Sequence, residues 1–109
     1  MKIIYATVWA SVFVATSAHA LIDREHLEKW CTHASSVAAG RCIGYLLAAE
    51  DALANQSIEG IRACLPKSIT LPEQHRIVTD WLKANPDTTS LTALGLVARA
   101  YASHYPCEK

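Results

Sequence analysis

The sequence predicts an all-α protein, a small bundle of about four helices cross-linked by two disulfides. No stretch alternates apolar and polar residues over the length of a strand, whereas apolar residues recur every three to four positions in four stretches. Four cysteines follow a segment that has the features of an export leader. An even number of cysteines in a short exported chain indicates disulfide bonds.

The first 20 residues, MKIIYATVWASVFVATSAHA, have the organisation of a secretory signal peptide. Lys2 provides a positive start, an apolar run follows, and Ala18-His19-Ala20 is a small-x-small cleavage site. The apolar run is too short to span a bilayer comfortably, which takes about 20 residues. We therefore expect cleavage after Ala20, and residues 21–109 then form a single domain.

The charge of the mature chain excludes several classes of ligand. Removing Lys2 from the 10 Lys and Arg residues leaves 9, against 10 Asp and Glu residues. Nucleic acids and anionic membranes attract clustered basic side chains, and the sequence contains no basic run. A metal site would need closely paired ligands such as C-x-x-C, which are missing. We therefore expect no nucleic acid, membrane, metal or cofactor as a ligand.

The first two helices are predicted from caps and apolar spacing. The first begins at Asp23, a good N-cap residue, and ends near Ser35 and Ser36. Its apolar face is Leu27, Trp30, Cys31 and Ala34.

The second helix runs from about Ala38 to Ala54, with a broad apolar side made of Ile43, Leu46, Leu47 and Leu53. A strip of small residues follows a spacing of four: Gly44, Ala48 and Ala52. Glycine inside a helix costs about 1 kcal/mol relative to alanine, so Gly44 predicts a close helix contact.

The third and fourth helices have clearer start and stop signals. Thr70 and Glu73 fit a capping box, and Pro72 lies in the first turn, where its missing amide costs little. The third helix then ends at Asn85-Pro86. The fourth is capped by one of Thr88, Thr89 and Ser90 and ends before Pro106. Its apolar stripe is Leu91, Leu94, Ala98, Tyr101, Ala102 and Tyr105. Gly95 near its middle predicts another close helix contact.

The helices suggest how the four cysteines pair. Two helices joined by a short loop pack antiparallel, so the outer ends of the third and fourth helices lie together. This favours Cys64 with Cys107, and the same logic favours Cys31 with Cys42. Cys107 would then fasten the C-terminal segment HYPCEK to the start of the third helix. Four cysteines allow three pairings, and Cys42–Cys64 with Cys31–Cys107 remains open.

Four motifs occur in order along most of the mature chain: CIGYLLAAEDA at 42–52, CLPKSITLPEQ at 64–74, VTDWLKANP at 78–86 and YPC at 105–107. Together they resemble the Rap/Tai family, which are small periplasmic immunity proteins of type VI secretion. The matching family positions include Gly44, Tyr45, Asp51, Pro66, Pro86 and Pro106. Three positions depart from the family pattern: Ala48 replaces a glycine, Trp81 a tyrosine and Asn85 a histidine. These are packing and turn positions, so the resemblance still implies the fold. It does not identify the partner, because immunity proteins diverge at their binding surfaces.

The resemblance implies an all-helical periplasmic protein that inhibits by binding and performs no chemistry. Its partner would be a cognate secreted toxin, often an amidase or another peptidoglycan hydrolase, whose active site it would block. A homodimer is a further assembly that the resemblance implies.

The residues themselves do not indicate an enzyme. Glu50 and Asp51 are adjacent in a helix, so they point about 100° apart and cannot flank one bond. Asp51 is expected instead to hydrogen-bond a neighbouring helix. The four mature histidines are scattered, bonded cysteines offer no thiol nucleophile, and G-x-S-x-G is missing.

Two loop segments are the predicted contact surface for a partner: Asn55 to Glu59, and Asn85 to Ser90. Loops held on a cross-linked frame commonly carry binding residues, and the candidates are Asn55, Glu59, Asn85 and Asp87. The alternative function is a small disulfide-bonded periplasmic chaperone or stress protein. A chaperone would bind many unfolded clients, whereas an immunity protein would bind one partner tightly.

Overall fold

Four α-helices form the structure, a computed structural model that describes residues 22–88 and 91–108. They are α1 (Arg24–Thr32), α2 (Ser36–Asn55), α3 (Leu71–Ala84) and α4 (Ala93–His104). The described residues contain no strand, only two isolated bridges, Asp23–Thr92 and Ile58–Ile61. The all-α prediction is therefore confirmed. The predicted leader, residues 1–20, lies outside the described part of the chain.

Two of the predicted helix starts are confirmed. The Asp23 side chain accepts a hydrogen bond from the His26 amide at 3.0 Å, and Thr70 accepts one from the Glu73 amide at 3.3 Å. The reciprocal half of the predicted capping box does not form, because the Glu73 carboxylate accepts a hydrogen bond from the Tyr105 hydroxyl at 2.7 Å instead. Both caps depend on residues only three positions apart, which is why local sequence predicts them.

The predicted start of α4 is wrong. Its N-cap is Thr92, whose hydroxyl accepts a hydrogen bond from the Gly95 amide at 3.0 Å. The hydroxyl of Thr88 donates to the Asn85 carbonyl at 3.1 Å, so it belongs to the preceding loop. The other two candidates, Thr89 and Ser90, lie outside the described residues.

The boundary between α1 and α2 also differs from the prediction. The first helix ends at Thr32, and Ser35 caps α2 by accepting a hydrogen bond from the Ala38 amide at 3.1 Å. A serine between two helical patterns can continue one helix or cap the next, and here capping prevails. Ala34 consequently lies outside α1 and is exposed.

The buried side of α2 is narrower than predicted. Its buried residues are Cys42, Leu46, Ala49 and Leu53. Ile43 and Leu47 are 42% and 41% exposed, so they do not belong to the core. Gly44 lies on the face opposite Leu46, and a Cβ built on it meets nothing within 4 Å. The predicted close helix contact at Gly44 is therefore wrong for the described chain.

The core surrounds α4, which packs against all three other helices. Six residues of α4 are fully buried, and they lie on nearly every side of the helix: Ala93, Leu96, Val97, Ala98, Ala100 and Tyr101. The Tyr101 hydroxyl donates to Oε1 of the buried Gln74 at 2.7 Å, and Gln74 donates to the Glu50 carboxylate at 2.9 Å. Glu50, rather than the exposed Asp51, thus makes the interhelical hydrogen bond.

Both predicted disulfides are present, which settles the open pairing. Cys31 bonds Cys42 and joins α1 to α2, while Cys64 bonds Cys107 and joins the segment before α3 to the segment after α4. The Cys64 amide also donates to the Tyr105 carbonyl at 2.9 Å. Because Tyr105 and Tyr101 contact the start of α3, α3 and α4 are antiparallel, and the terminal cysteine fastens the tail to their shared outer end.

Candidate partner-binding site

The two loop segments predicted to contact a partner lie at one end of the bundle. This end, which we call the loop end, comprises residues 55–61, 85–88 and 91–92. The Glu59 carboxylate accepts a hydrogen bond from the Thr92 hydroxyl at 2.9 Å, which joins the first segment to the start of α4. The chain before α1 completes the junction, because the Ile22 carbonyl accepts from the Ala93 amide at 2.8 Å.

The segment after α2 is a tight turn that aims Glu59 at α4. Ile58 and Ile61 exchange two backbone hydrogen bonds of 2.9 and 2.8 Å. Between them Glu59 and Gly60 have φ values of 51° and 77°, the left-handed pair that a type I′ turn requires. Glycine adopts this conformation readily, whereas glutamate does so at a cost. The hydrogen bonds of the Glu59 side chain offset that cost.

Glu59 is held by two donors from α4. The Arg99 guanidinium donates to its carboxylate at 3.1 Å and, together with the Thr92 hydroxyl, lowers the pKa of the Glu59 carboxyl. The carboxylate lies against Gly95, and a Cβ at that position would collide with it. The close contact predicted at Gly95 therefore exists, but its partner is a side chain of the turn and not another helix.

The second segment is anchored at the end of α3. Asn85 is the C-cap residue, and its side-chain amide donates to the Trp81 carbonyl at 2.8 Å. Its carbonyl accepts from the Thr88 hydroxyl and from the Arg24 guanidinium, which reaches across from α1. Pro86 and Asp87 are exposed between these anchored residues.

The loop end thus combines fixed and free side chains. Asn85 is half-buried and Glu59 is bonded to α4, whereas Asn55 and Asp87 are exposed. The structure therefore offers Asn55 and Asp87 most directly to another molecule. The contact roles of all four residues remain predictions.

The family model described as Rap1a immunity proteins matches residues 23–107, from the N-cap of α1 to the second disulfide. The chain belongs to the Rap1a immunity protein family. Comparison with curated proteins and with solved structures gives no match.

The family-pattern residues of this Rap1a chain are spread over the bundle. Tyr45 is half-buried against Trp30, with ring centroids 6.0 Å apart, and burial raises the pKa of its phenol. The exposed members are Gly44, Asp51, Pro66, Pro86 and Pro106. Only Pro86 lies at the loop end, so most of these positions mark turns and helix faces away from the candidate site.

A separate surface of the Rap1a chain is an apolar groove of about 380 Å³ beside the Cys31–Cys42 disulfide. Nε2 of His75 lies 2.6 Å from the Cys31 carbonyl and forms part of its wall. The described histidine, cysteine and acidic side chains form no group of three that could hold a metal ion. None of the described helices is both long enough and apolar enough to cross a membrane.

Two residues that anchor the loop end, Arg24 and Thr92, were not predicted from the sequence. Thr92 could have been considered, because threonine is a good N-cap and the apolar stripe continues beyond it. Arg24 also carried a signal, since a cation in the first turn of a helix opposes the helix dipole. Such an unfavourable placement indicates that the side chain has partners elsewhere.

Proposed function

We propose that this member of the Rap1a family is a periplasmic immunity protein that neutralises a toxin delivered by type VI secretion. The toxin would be a peptidoglycan hydrolase, most simply an amidase, and inhibition would consist of binding and covering its active site. The observation that carries the proposal is the loop end. There, side-chain hydrogen bonds anchor two segments remote in sequence to the helical frame: Glu59 fastens Asn55–Ile61 to the start of α4, and Arg24 fastens Asn85–Thr88 to α1.

A rigid surface suits an inhibitor that acts by occupancy. Ordering loops during association costs binding free energy, and a loop that is already ordered avoids most of that cost. The Glu59 and Asn85 contacts order the loop end, while Asn55 and Asp87 are exposed beside them. The proposal therefore assigns a supporting role to the first pair and a contact role to the second.

Export to the periplasm is part of the proposal. The leader at residues 1–20 supports it, and the two disulfides require an oxidising compartment to form and persist. The toxin would meet its inhibitor where peptidoglycan is cut.

A capture experiment, followed by inhibition assays with loop-end variants, tests this function. The bait is the oxidised, tagged chain from Leu21, and the prey are periplasmic and secreted proteins of the parent bacterium. We expect one stoichiometric partner that hydrolyses peptidoglycan and is inhibited by the bait. Asp87→Arg and Asn55→Arg should weaken that inhibition at least about tenfold, corresponding to about 1.4 kcal/mol. The matched control Lys67→Glu changes charge away from the loop end and should inhibit normally.

The same capture experiment distinguishes an immunity protein from the alternative, a periplasmic chaperone. Many unfolded clients, more numerous at acid pH, would support the chaperone and contradict the immunity proposal. Equal inhibition by the loop-end variants and by Lys67→Glu would move the contact surface elsewhere on the molecule.

We also propose that the exposed face of α2 pairs with a second copy of the chain. This face contains the three large apolar side chains that the described structure leaves most exposed, Val37, Ile43 and Leu47. Gly44 and Ala48 lie beside them on the exposed side of the helix and allow a close approach. In an antiparallel pair with these two residues facing each other, Arg41 of each copy lies opposite Asp51 of the other.

Charge exchange tests the pairing. Sedimentation equilibrium of the wild type should show a dimer, and Arg41→Asp or Asp51→Arg should weaken it because each places like charges together. The double variant should restore it. A wild type that remains monomeric at about 100 μM, or a double variant no better than the single variants, would contradict the proposed dimer.

A further inference from the structure

Arg24 is a buried cation in an unfavourable local position. It is only 8% exposed, and it is the first residue of α1, where the helix dipole disfavours positive charge. Burying a guanidinium is costly unless its N–H groups are paired. Its position is therefore explained only by the partners that it reaches.

Those partners lie almost entirely at the end of α3 and in the loop that follows. Nη2 donates to the Leu82 carbonyl at 2.6 Å, and Nη1 donates to the Asn85 carbonyl at 2.5 Å. Nη1 also donates to the Thr88 hydroxyl. The remaining donor, Nε, bonds the Glu28 carboxylate at 2.7 Å on α1 itself.

This set of contacts has two structural effects. The carbonyls at the end of a helix lack a full set of partners within it, and Arg24 supplies donors to the carbonyls of Leu82 and of the C-cap residue Asn85. The Arg24 guanidinium also hydrogen-bonds both ends of the segment Asn85–Thr88, so it fixes this loop to α1. The planar fork of arginine reaches several acceptors at once, which the compact ammonium of lysine cannot do.

We propose that Arg24 is a positioning residue for partner binding, which holds Asn85–Thr88 in the shape that the partner recognises. It does not touch the partner itself. The inference rests on the proposed function for what the ordered loop does, but the ordering itself is a property of the free protein. Arg24 could instead serve only the stability of the bundle, and the two roles can be separated by experiment.

The first measurement uses the free, oxidised protein. Backbone order parameters from ¹⁵N relaxation should show Asp87 and Thr88 as rigid in the wild type, about 0.85, and as flexible in Arg24→Lys, below about 0.6. Thr88→Val removes the Thr88 hydroxyl, and with it one contact of Arg24 and the hydrogen bond to the Asn85 carbonyl, so it should loosen the same residues. Arg76→Lys and Thr79→Val are the matched controls, because both residues lie on α3 away from the loop, and both should leave these values unchanged.

The second measurement uses the toxin captured by the wild type. Arg24→Lys and Thr88→Val should each raise its Kd about tenfold or more, while Leu96 and Val97 in α4 retain wild-type hydrogen exchange. A merely structural role would instead accelerate exchange at these core amides.

The outcomes are distinct. Unchanged order parameters in Arg24→Lys would overturn the inference, as would a loosened loop that binds the toxin with wild-type Kd. If the wild type captures no toxin, the proposed function fails, and the order parameters still decide whether Arg24 orders the loop.

Discussion

The hydroxyl of Tyr101 supplies the donor for the side-chain oxygen of the buried Gln74. Tyr101 is fully buried beside α3, and its hydroxyl is the donor for Oε1 of Gln74, which is only 1% exposed. Burial also raises the pKa of the Tyr101 phenol, so it remains a neutral donor at physiological pH. The bond therefore fixes the register of α4 against α3 without a buried charge on the tyrosine.

Replacing that hydroxyl should measurably destabilise the protein. In Tyr101→Phe the Gln74 oxygen loses its donor in the core, which should lower the free energy of unfolding by about 1–3 kcal/mol. Urea denaturation at neutral pH measures the loss. Tyr105→Phe is the control, because Tyr105 is half-buried and the Glu73 carboxylate that it contacts can bind water instead. Equal losses in the two variants would contradict this account.

Glu59 should make stability depend on acid pH. Arg99 and Thr92 lower the pKa of its carboxyl in the folded protein. The stabilisation is therefore present above the ordinary glutamate pKa of about 4.3 and is lost as the pH falls through the folded value. The side chain is 36% exposed, so the effect should be below about 1 kcal/mol.

Urea midpoints at pH 7 and pH 3 measure that dependence. Glu59→Gln should be less stable than the wild type at pH 7, and its urea midpoint should fall less than that of the wild type between pH 7 and pH 3. Glu25→Gln, in an exposed pair with Lys29, is the control and should retain the wild-type pH dependence. The account fails if Glu59→Gln and the wild type respond equally to acid.

At this scale, prediction from sequence succeeded where the partners are close along the chain. The Asp23 and Thr70 caps each involve an amide three residues away. Arg24 was missed because its loop and α3 partners are 58 to 64 residues away. Glu59 was predicted only as a contact residue, because nothing in its neighbours indicates that it bonds Thr92, 33 residues further on.

Among the elements, α2 shows the limit of apolar periodicity. The helix has apolar or small residues around most of its circumference, so its pattern does not decide which side is buried. The structure buries the side with Cys42 and Leu46 and exposes the side with Gly44 and Leu47. The Cys31–Cys42 disulfide is consistent with this orientation, because it ties the Cys42 side of the helix to α1.

The start of α4 depends on one threonine. Thr92 caps the helix through the Gly95 amide and also donates to Glu59, so it joins the helix to the turn. Thr92→Val should therefore cost about 1–2 kcal/mol of unfolding free energy, measured by urea denaturation. Thr92→Ser keeps the hydroxyl and should lose far less. Equal losses in the two variants would show that the hydroxyl is not what stabilises this helix start.

For the whole molecule, the fold and both disulfides could be predicted because they follow from four amphipathic helices and one short connection. The α3–α4 hairpin brings its outer ends together, and the cysteines lie at those ends. The junction between the turn after α2 and the start of α4 could not be predicted in the same way. It depends on Thr92, Glu59 and the chain before α1, which become neighbours only after the helices have packed.

The two disulfides should contribute unequally to stability. They span 11 and 43 positions of the chain, and the loop-entropy relation predicts about 3 and about 4 kcal/mol. Two variants test this, one retaining only Cys31–Cys42 and one retaining only Cys64–Cys107. Each is unfolded in urea when oxidised and when reduced, so that the difference isolates the cross-link from packing. A larger difference for Cys31–Cys42 would contradict the prediction.

The Cys64–Cys107 bond also closes a covalent ring. Residues 64–107 form this ring, which contains α3, α4 and the loop Asn85–Thr88 between them. If a protease cuts one peptide bond in that loop, the ring opens but the two pieces remain a single molecule. The loop Asn85–Thr88 can therefore be cut without releasing either helix, a form of damage tolerance that a hairpin without the disulfide would lack.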